Sequence, residues 1–99
     1  MAPLEIEEKY KKMGLKTMLA KDEPGKTYAP HSHHATWLYS LSGSVKVRLD
    51  GKDWKEIKPG EEVVIKDGQL HEAIVGSDGW QYIFAYPKDT EPFSYEDRV

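Results

Sequence analysis

Four histidines, at positions 31, 33, 34 and 71, are the residues of this 99-residue chain whose type and spacing could do chemistry. Alternate side chains of an extended strand share a face, so His31 and His33 point one way and His34 the other. We therefore expect His31 and His33 to bind one ion together and His34 to take no part. His71 shares its strand face with two apolar residues, which directs it toward an apolar interior as a candidate third ligand.

The chemistry open to such a group is metal binding. Imidazole suits Zn, Fe, Ni and Cu, and three imidazoles leave coordination positions open, as catalytic sites do. The chain has no cysteine, which excludes disulfides, thiolate zinc sites and iron–sulfur clusters. From the H-x-H pattern alone a second interpretation stays open, in which His31 and His33 face solvent and His71 is a hydrogen-bonded core residue.

Short strands must position these histidines. Between residues 3 and 13, apolar residues at helical spacing, an early proline and a following Gly14 predict one helix. Beyond Gly14 the chain breaks into short segments separated by Gly, Pro and Asp, which is typical of antiparallel strands. The predicted strands cover residues 16–20, 27–33, 36–41, 44–49, 54–57, 62–65, 71–75 and 81–86.

Turn residues punctuate these strands at regular intervals. Asp50-Gly51 lies between two alternating apolar segments and predicts a tight hairpin. Four further turns are predicted at Glu23-Pro24-Gly25, Pro59-Gly60, Asp67-Gly68 and Ser77-Asp78-Gly79. This rhythm favours an all-β sandwich or a jelly-roll barrel.

Composition limits the classes of function. A chain of 99 residues forms one domain. Its 14 basic and 17 acidic residues give a net charge of −3, which argues against nucleic acid as a partner. No apolar run is long enough to span a membrane, and the first residues lack the pattern of a signal peptide. We therefore expect a soluble, cytoplasmic protein.

The order of glycines and histidines resembles the cupin family across residues 20 to 86. The two cupin motifs run G-x5-H-x-H-x3,4-E-x6-G and G-x5-P-x-G-x2-H-x3-N, and the matching residues here are Gly25, His31, His33, Gly43, Gly60, Gly68 and His71. The resemblance implies a cupin jelly-roll barrel, which we assign to residues 15–86, between the predicted N-terminal helix (1–14) and a C-terminal tail (87–99). It also implies that the motif histidines meet at one barrel mouth around a divalent metal, and that the barrels pair as a homodimer.

The chain departs from the family pattern at the acidic ligand. The position of the motif glutamate falls on Trp37 when counted from His33, and on Thr36 when counted back from Gly43. Neither residue binds a metal well. An ion held by three neutral imidazoles would keep its charge of +2, so we expect the site to favour an anionic ligand.

These features predict a small cupin that binds a divalent ion, whether Zn, Fe, Ni, Mn or Cu, through His31, His33 and His71. The predicted function is that of a metal-dependent oxygenase, lyase or isomerase acting on a small anionic metabolite. Tyr39, Tyr82 and Gln81 are predicted near the ligand, although the aromatic residues could instead pack the barrel and Gln81 lie on the surface. Two alternatives stay open: a non-catalytic module that senses a small molecule or a metal, and a structural dimer without an ion.

Overall fold

The structure is a computed structural model that describes residues 3–88 and 99. Within the described residues one helix precedes six strands, which confirms an all-β chain with a short N-terminal helix. The elements are α1 (Pro3–Lys12), β1 (Leu15–Asp22), β2 (Thr27–His31), β3 (Thr36–Leu49), β4 (Trp54–Ile57), β5 (Glu62–Ile65) and β6 (His71–Pro87).

The helix α1 packs against the outside of the barrel. Ile6 and Tyr10, one helical turn apart, are buried there. Tyr10 donates a hydrogen bond to the Glu62 carboxylate on β5. Burial and this carboxylate raise the pKa of the Tyr10 hydroxyl. The helix ends at Lys12, and Gly14 follows with a φ of 84°, as is common beyond a helix C-terminus.

Two long strands, β3 and β6, run through both layers of the barrel and pair antiparallel with each other. The first half of β3 also pairs with β5 and its second half with β4. The first half of β6 pairs with β2 and its second half with β1. The two layers are therefore β2–β6–β3–β4 and β1–β6–β3–β5, joined where the long strands bend.

The predicted breaks within these two strands are wrong. The separate strands expected at 36–41 and 44–49 form β3, and those at 71–75 and 81–86 form β6. The predicted turn at Ser77-Asp78-Gly79 is instead part of β6, where the pairing with β3 shifts register. A side chain at Gly43 would place its Cβ 1.9 Å from the Gly79 carbonyl oxygen, so the glycines permit a close crossing of the strands rather than a chain reversal.

The bend also changes which residues face the interior. On β3, Leu38 lies in the interior core before the bend and Val45 and Val47 after it. On β6 the inward residues are Ala73 and Val75 before the bend, and the even-numbered Trp80, Tyr82 and Phe84 after it. An irregular pairing shifts the alternation by one residue, so the faces exchange.

The predicted hairpin at Asp50-Gly51 is present between β3 and β4. Both residues have positive φ, of 54° and 69°, and the Lys52 amide donates to the Leu49 carbonyl at 3.0 Å. These are the features of a type I′ turn, whose twist matches that of the flanking strands.

No helix in residues 3–88 is long and apolar enough to cross a membrane. Most of the predicted C-terminal tail, residues 89–98, lies outside the described residues.

Candidate metal centre

The fold brings His31, His33 and His71 together at one end of the barrel. His31 ends β2 and lies directly opposite His71, the first residue of β6. The ring centroid of His71 is 4.3 Å from that of His31 and 4.6 Å from that of His33. His71 is 1% exposed, whereas His31 and His33 are half-buried. The cluster therefore has one buried member and two that border the opening.

The same main-chain interaction fixes the orientation of each of the three rings. The Nδ1 atoms lie 2.6 Å from the Ala29 carbonyl for His31, 2.6 Å from the His34 carbonyl for His33, and 2.8 Å from the Gln69 carbonyl for His71. A carbonyl oxygen only accepts hydrogen bonds, so each Nδ1 carries a proton and donates it. In a neutral ring the lone pair is then on Nε2.

The Nε2 atoms face one another and one main-chain oxygen. The Nε2 atoms of His33 and His71 lie 3.2 Å apart. The Val99 main-chain oxygen lies 2.6 Å from Nε2 of His31 and 3.2 Å from Nε2 of His33. With neutral rings these four atoms are all acceptors toward one another. A cation at their centre would satisfy all four.

A proton on His71 is a poor candidate for that cation. Burial lowers the pKa of His71 below 6.5, and the neighbouring His31 and His33 lower it further, while hydrogen bonds to the Gln69 and Val99 main chain act in the opposite direction. At neutral pH the His71 ring is therefore neutral and available as a ligand.

The spacing fits a metal ion. Two nitrogens bound to one tetrahedral zinc at about 2.0–2.1 Å lie roughly 3.4 Å apart, close to the separation of 3.2 Å between His33 and His71. One ligand atom from each histidine can be chosen so that all lie within 4.8 Å of one another. Among the described residues no Asp or Glu side chain joins the group. The donor set is three imidazoles and an oxygen, which suits Zn, Fe, Ni or Cu.

The other predicted site residues lie on different faces. Tyr82 is buried inside the barrel, stacked on Trp80 at 3.6 Å between ring centroids. Tyr39 packs instead in the outer cluster beside α1. Gln81 is exposed, and its side-chain oxygen accepts a hydrogen bond from Ser42 Oγ at 2.9 Å. Tyr39 and Gln81 thus face away from the interior, which corrects the expectation that they lie near the ligand.

An apolar cavity of about 130 Å³ is lined by residues of β3, β4 and β5 and of the turn between β3 and β4. Its lining residues are Val47, Leu49, Lys52, Asp53, Lys55, Ile57 and Val63. Leu49 is the direct cross-strand neighbour of His71, so the cavity adjoins the buried ring. The walls are aliphatic, and two lysines stand at the rim.

Several groups that build this site could not be predicted from the sequence. The carbonyls that orient the rings and the Val99 oxygen belong to the main chain, which any residue type supplies. One wall of the cavity could be predicted, because the alternation of Val45, Val47 and Leu49 puts these apolar side chains on one strand face. That alternation predicts an apolar wall but not an opening in it.

Comparison with known proteins gives the family and the fold. Residues 17–91 match the model of the AraC-like ligand binding domain. KdgF from Halomonas sp. is 25% identical, with a TM-score of 0.66 over 77% of this chain and 72% of that one. A cupin-like protein from Thermotoga maritima is 22% identical, with a TM-score of 0.67 over 77% of this chain and 59% of that one.

The DMSP lyase DddQ from Ruegeria pomeroyi has a TM-score of 0.69 at 19% identity. The match covers 85% of this chain and 45% of that one, so this chain matches less than half of the lyase. No curated protein matches the sequence. The structural neighbours support the predicted cupin jelly-roll fold.

Proposed function

Because the chain belongs to the AraC-like ligand binding domain family, a cupin-type domain, we propose that its barrel binds a small anionic molecule at a divalent metal ion held by His31, His33 and His71. The observation that carries this proposal is the convergence of three Nε2 atoms whose rings each donate Nδ1–H to a carbonyl. Such partners orient imidazole ligands and raise their basicity before the metal arrives.

The preference for an anion follows from charge. Three neutral imidazoles leave a divalent ion with its full charge, in a pocket where no Asp or Glu side chain of the described residues joins the donor set. Lys52, Asp53 and Lys55 line the adjoining cavity, and the two lysines outweigh the single carboxylate, a balance that favours an anion. The aliphatic walls at Val47, Leu49 and Val63 suit a ligand with a short apolar part.

The ion and the protein's own residues would have different roles at this site. The bound ion would act as a Lewis acid toward a ligand oxygen. The protein's own part is to hold the ion with rings that cannot turn, because their Nδ1 atoms are tied to the main chain. The apolar cavity beside His71 keeps water away from the rest of the ligand.

Open positions on such an ion favour catalysis, and we propose a metal-dependent lyase, isomerase or oxygenase. A DMSP lyase and an oxalate decarboxylase are among the proteins of similar fold. The second candidate is a module that binds its ligand without converting it. One observation favours that candidate: the matching family model is described as a ligand binding domain.

Metal analysis tests the shared part of both candidates. Protein purified without a polyhistidine tag and reconstituted with zinc or iron should hold one ion per chain. His71→Ala should lose most of this metal, whereas His34→Ala, which removes a neighbouring ring outside the triad, should keep it. A wild-type metal content well below one ion per chain, or equal content in the two variants, would contradict the proposal.

A ligand panel separates catalysis from sensing. Small carboxylic acids, thiols and catechols are incubated with metal-loaded protein while oxygen uptake and product formation are followed. An enzyme converts at least one compound, and His33→Ala abolishes the conversion. A sensing module shows ligand-dependent thermal shifts without any product.

We also propose that two chains pair through β1. In the described residues β1 has β6 as its single strand partner, which leaves its other edge open. Met18 and Leu19 on this strand are 50% and 59% exposed. An open edge with apolar side chains favours self-association. Light scattering should give the mass of a dimer, and Leu19→Lys should lower it to that of a monomer.

A further inference from the structure

The hydroxyl group of Thr36 lacks the partner that its burial demands. Thr36 is 0% exposed, and its Oγ1 makes no hydrogen bond within the described part of the chain. A buried hydroxyl without a partner destabilises the folded protein, and such groups in native structures call for an explanation. Valine has nearly the same shape without this cost, so the hydroxyl has a use that the protein alone does not reveal.

Thr36 points into the barrel. It begins β3, and the side chains two and four residues further along that strand, Leu38 and Ser40, are both buried inside. Ser40 differs from Thr36 in one respect, because it accepts a hydrogen bond from the Trp80 indole at 3.0 Å. The two hydroxyls lie on the same face of β3, but only the Ser40 hydroxyl has a hydrogen-bond partner among the described residues.

That end of β3 lies at the histidine mouth. Thr36 follows His33 by three residues, and the His33 carbonyl accepts a hydrogen bond from the Gly68 amide, in the turn that precedes His71, at 2.8 Å. Thr36 thus begins β3 just beyond the short segment that carries His33 and is tied to the turn before His71.

The pocket itself shows what kind of group fits there. Val99 is fully buried with its side chain in the interior core, and its main-chain oxygen faces His31 and His33. Val99 itself fills this space, so a short branched aliphatic ligand that carries an oxygen would take the place of Val99 beside the histidines. A carboxylate of this shape has a second oxygen, which a neighbouring hydroxyl can bind.

We propose that Thr36 is a positioning residue for the ligand, whose Oγ1–H donates a hydrogen bond to an oxygen of a short, branched carboxylate bound at the three-histidine ion. This inference rests on the proposed function and adds to it the ligand class and the group that recognises it. The hydroxyl orients the anion and discriminates against ligands that lack a second acceptor oxygen, without holding the ion.

Thr36→Val tests the proposal because it removes the hydroxyl and keeps the shape. Metal-free Thr36→Val should melt about 4–8 °C above the wild type, since an unsatisfied buried group is gone. Cobalt-loaded Thr36→Val should bind isobutyrate about tenfold more weakly than the wild type, followed by the visible absorption of the ion. Cobalt affinity itself should be unchanged, and Thr36→Ser should bind isobutyrate nearly as the wild type does.

Each other outcome has a definite meaning. A lower melting temperature for metal-free Thr36→Val would show that the hydroxyl has a structural partner, and the proposal would fall. Equal isobutyrate affinity in the variant, or a cobalt spectrum of the wild type that does not respond to isobutyrate, would also overturn it while leaving the metal site intact. A wild type that binds no cobalt would instead refute the proposed function on which the inference rests.

Discussion

Two polar clusters lie inside the same barrel, and they differ in how their donors and acceptors match. In the first, the Asp22 carboxyl group accepts hydrogen bonds from the hydroxyls of Tyr28, at 2.6 Å, and Tyr82, at 3.1 Å. Trp80, stacked on Tyr82, donates to Ser40. In the second, the three histidines turn lone pairs toward one another and toward a main-chain oxygen.

The difference separates a structural cluster from a binding site. In the first cluster each of these contacts joins a donor to an acceptor, so the group stabilises the barrel as it stands. In the second, acceptors face acceptors, an arrangement that a cation at its centre would stabilise. Burial of polar residues does not by itself indicate function; the informative feature is a mismatch that an absent partner would resolve.

The largest expected effect comes from breaking the matched cluster. Asp22→Ala leaves two buried tyrosine hydroxyls without this acceptor, which should lower the free energy of unfolding by about 2–6 kcal/mol. Asp22→Asn keeps an acceptor oxygen and should lose less. Urea unfolding measures both variants, and folded Asp22→Asn should still bind one metal ion. Loss of metal from this variant would mean that the two clusters are coupled and the comparison is wrong.

The next largest effect on stability should come from adding a metal ion to the histidine cluster. At a free zinc concentration of about 100 times Kd, binding should stabilise the wild type by about 2.7 kcal/mol, measured as a rise in Tm on addition of zinc. His33→Ala should remove this rise, because only two of the three nitrogens remain. Asp22→Asn should show the full rise from its lower starting Tm. An equal rise in His33→Ala would place the zinc elsewhere.

Acid should act on the histidine cluster as well. Because burial lowers the pKa of His71 below 6.5, the unfolded chain binds a proton more readily than the folded one. The resulting stability is fully present above 6.5 and is lost as the pH falls through the folded pKa. The Tm of metal-free protein should therefore decrease between about pH 7.5 and pH 5. His71→Gln should reduce the decrease, and His34→Gln should leave it; identical curves would show that His71 is not its source.

The sequence predicted most of the elements and the three histidines, for identifiable reasons. The bounds of β4 and β5 were correct because turns with Gly or Pro enclose a single short strand on each side. The breaks at Gly43 and Gly79 were wrong because glycine permits a strand crossing as readily as a turn. The histidines were found because their spacing along the chain is a side-chain signal, whereas the carbonyls that orient them depend on backbone conformation.

The bend in β6 also decides which of the strand's later side chains face the barrel interior. Inward positions on β6 change from odd numbers, as at His71, to even numbers, as at Tyr82, across the irregular pairing near residues 76–79. Simple alternation from His71 would have placed Gln81 inward. A single irregular pairing in the middle of a strand thus decides which side chains face the interior. The local sequence pattern does not predict this irregularity.

The smallest effect is expected from substituting Gln81, which faces outward beyond the bend in β6. Gln81→Ala removes an exposed side chain that accepts a hydrogen bond from Ser42 on the barrel surface. The free energy of unfolding should therefore change by less than about 0.5 kcal/mol. Metal content and isobutyrate affinity should equal those of the wild type. Tyr82→Phe, one residue away but facing inward, should cost about 1 kcal/mol through the lost bond to Asp22. A Gln81 variant with weakened ligand binding would mean that the alternation does not change at the bend, and that Gln81 rather than Tyr82 faces the pocket.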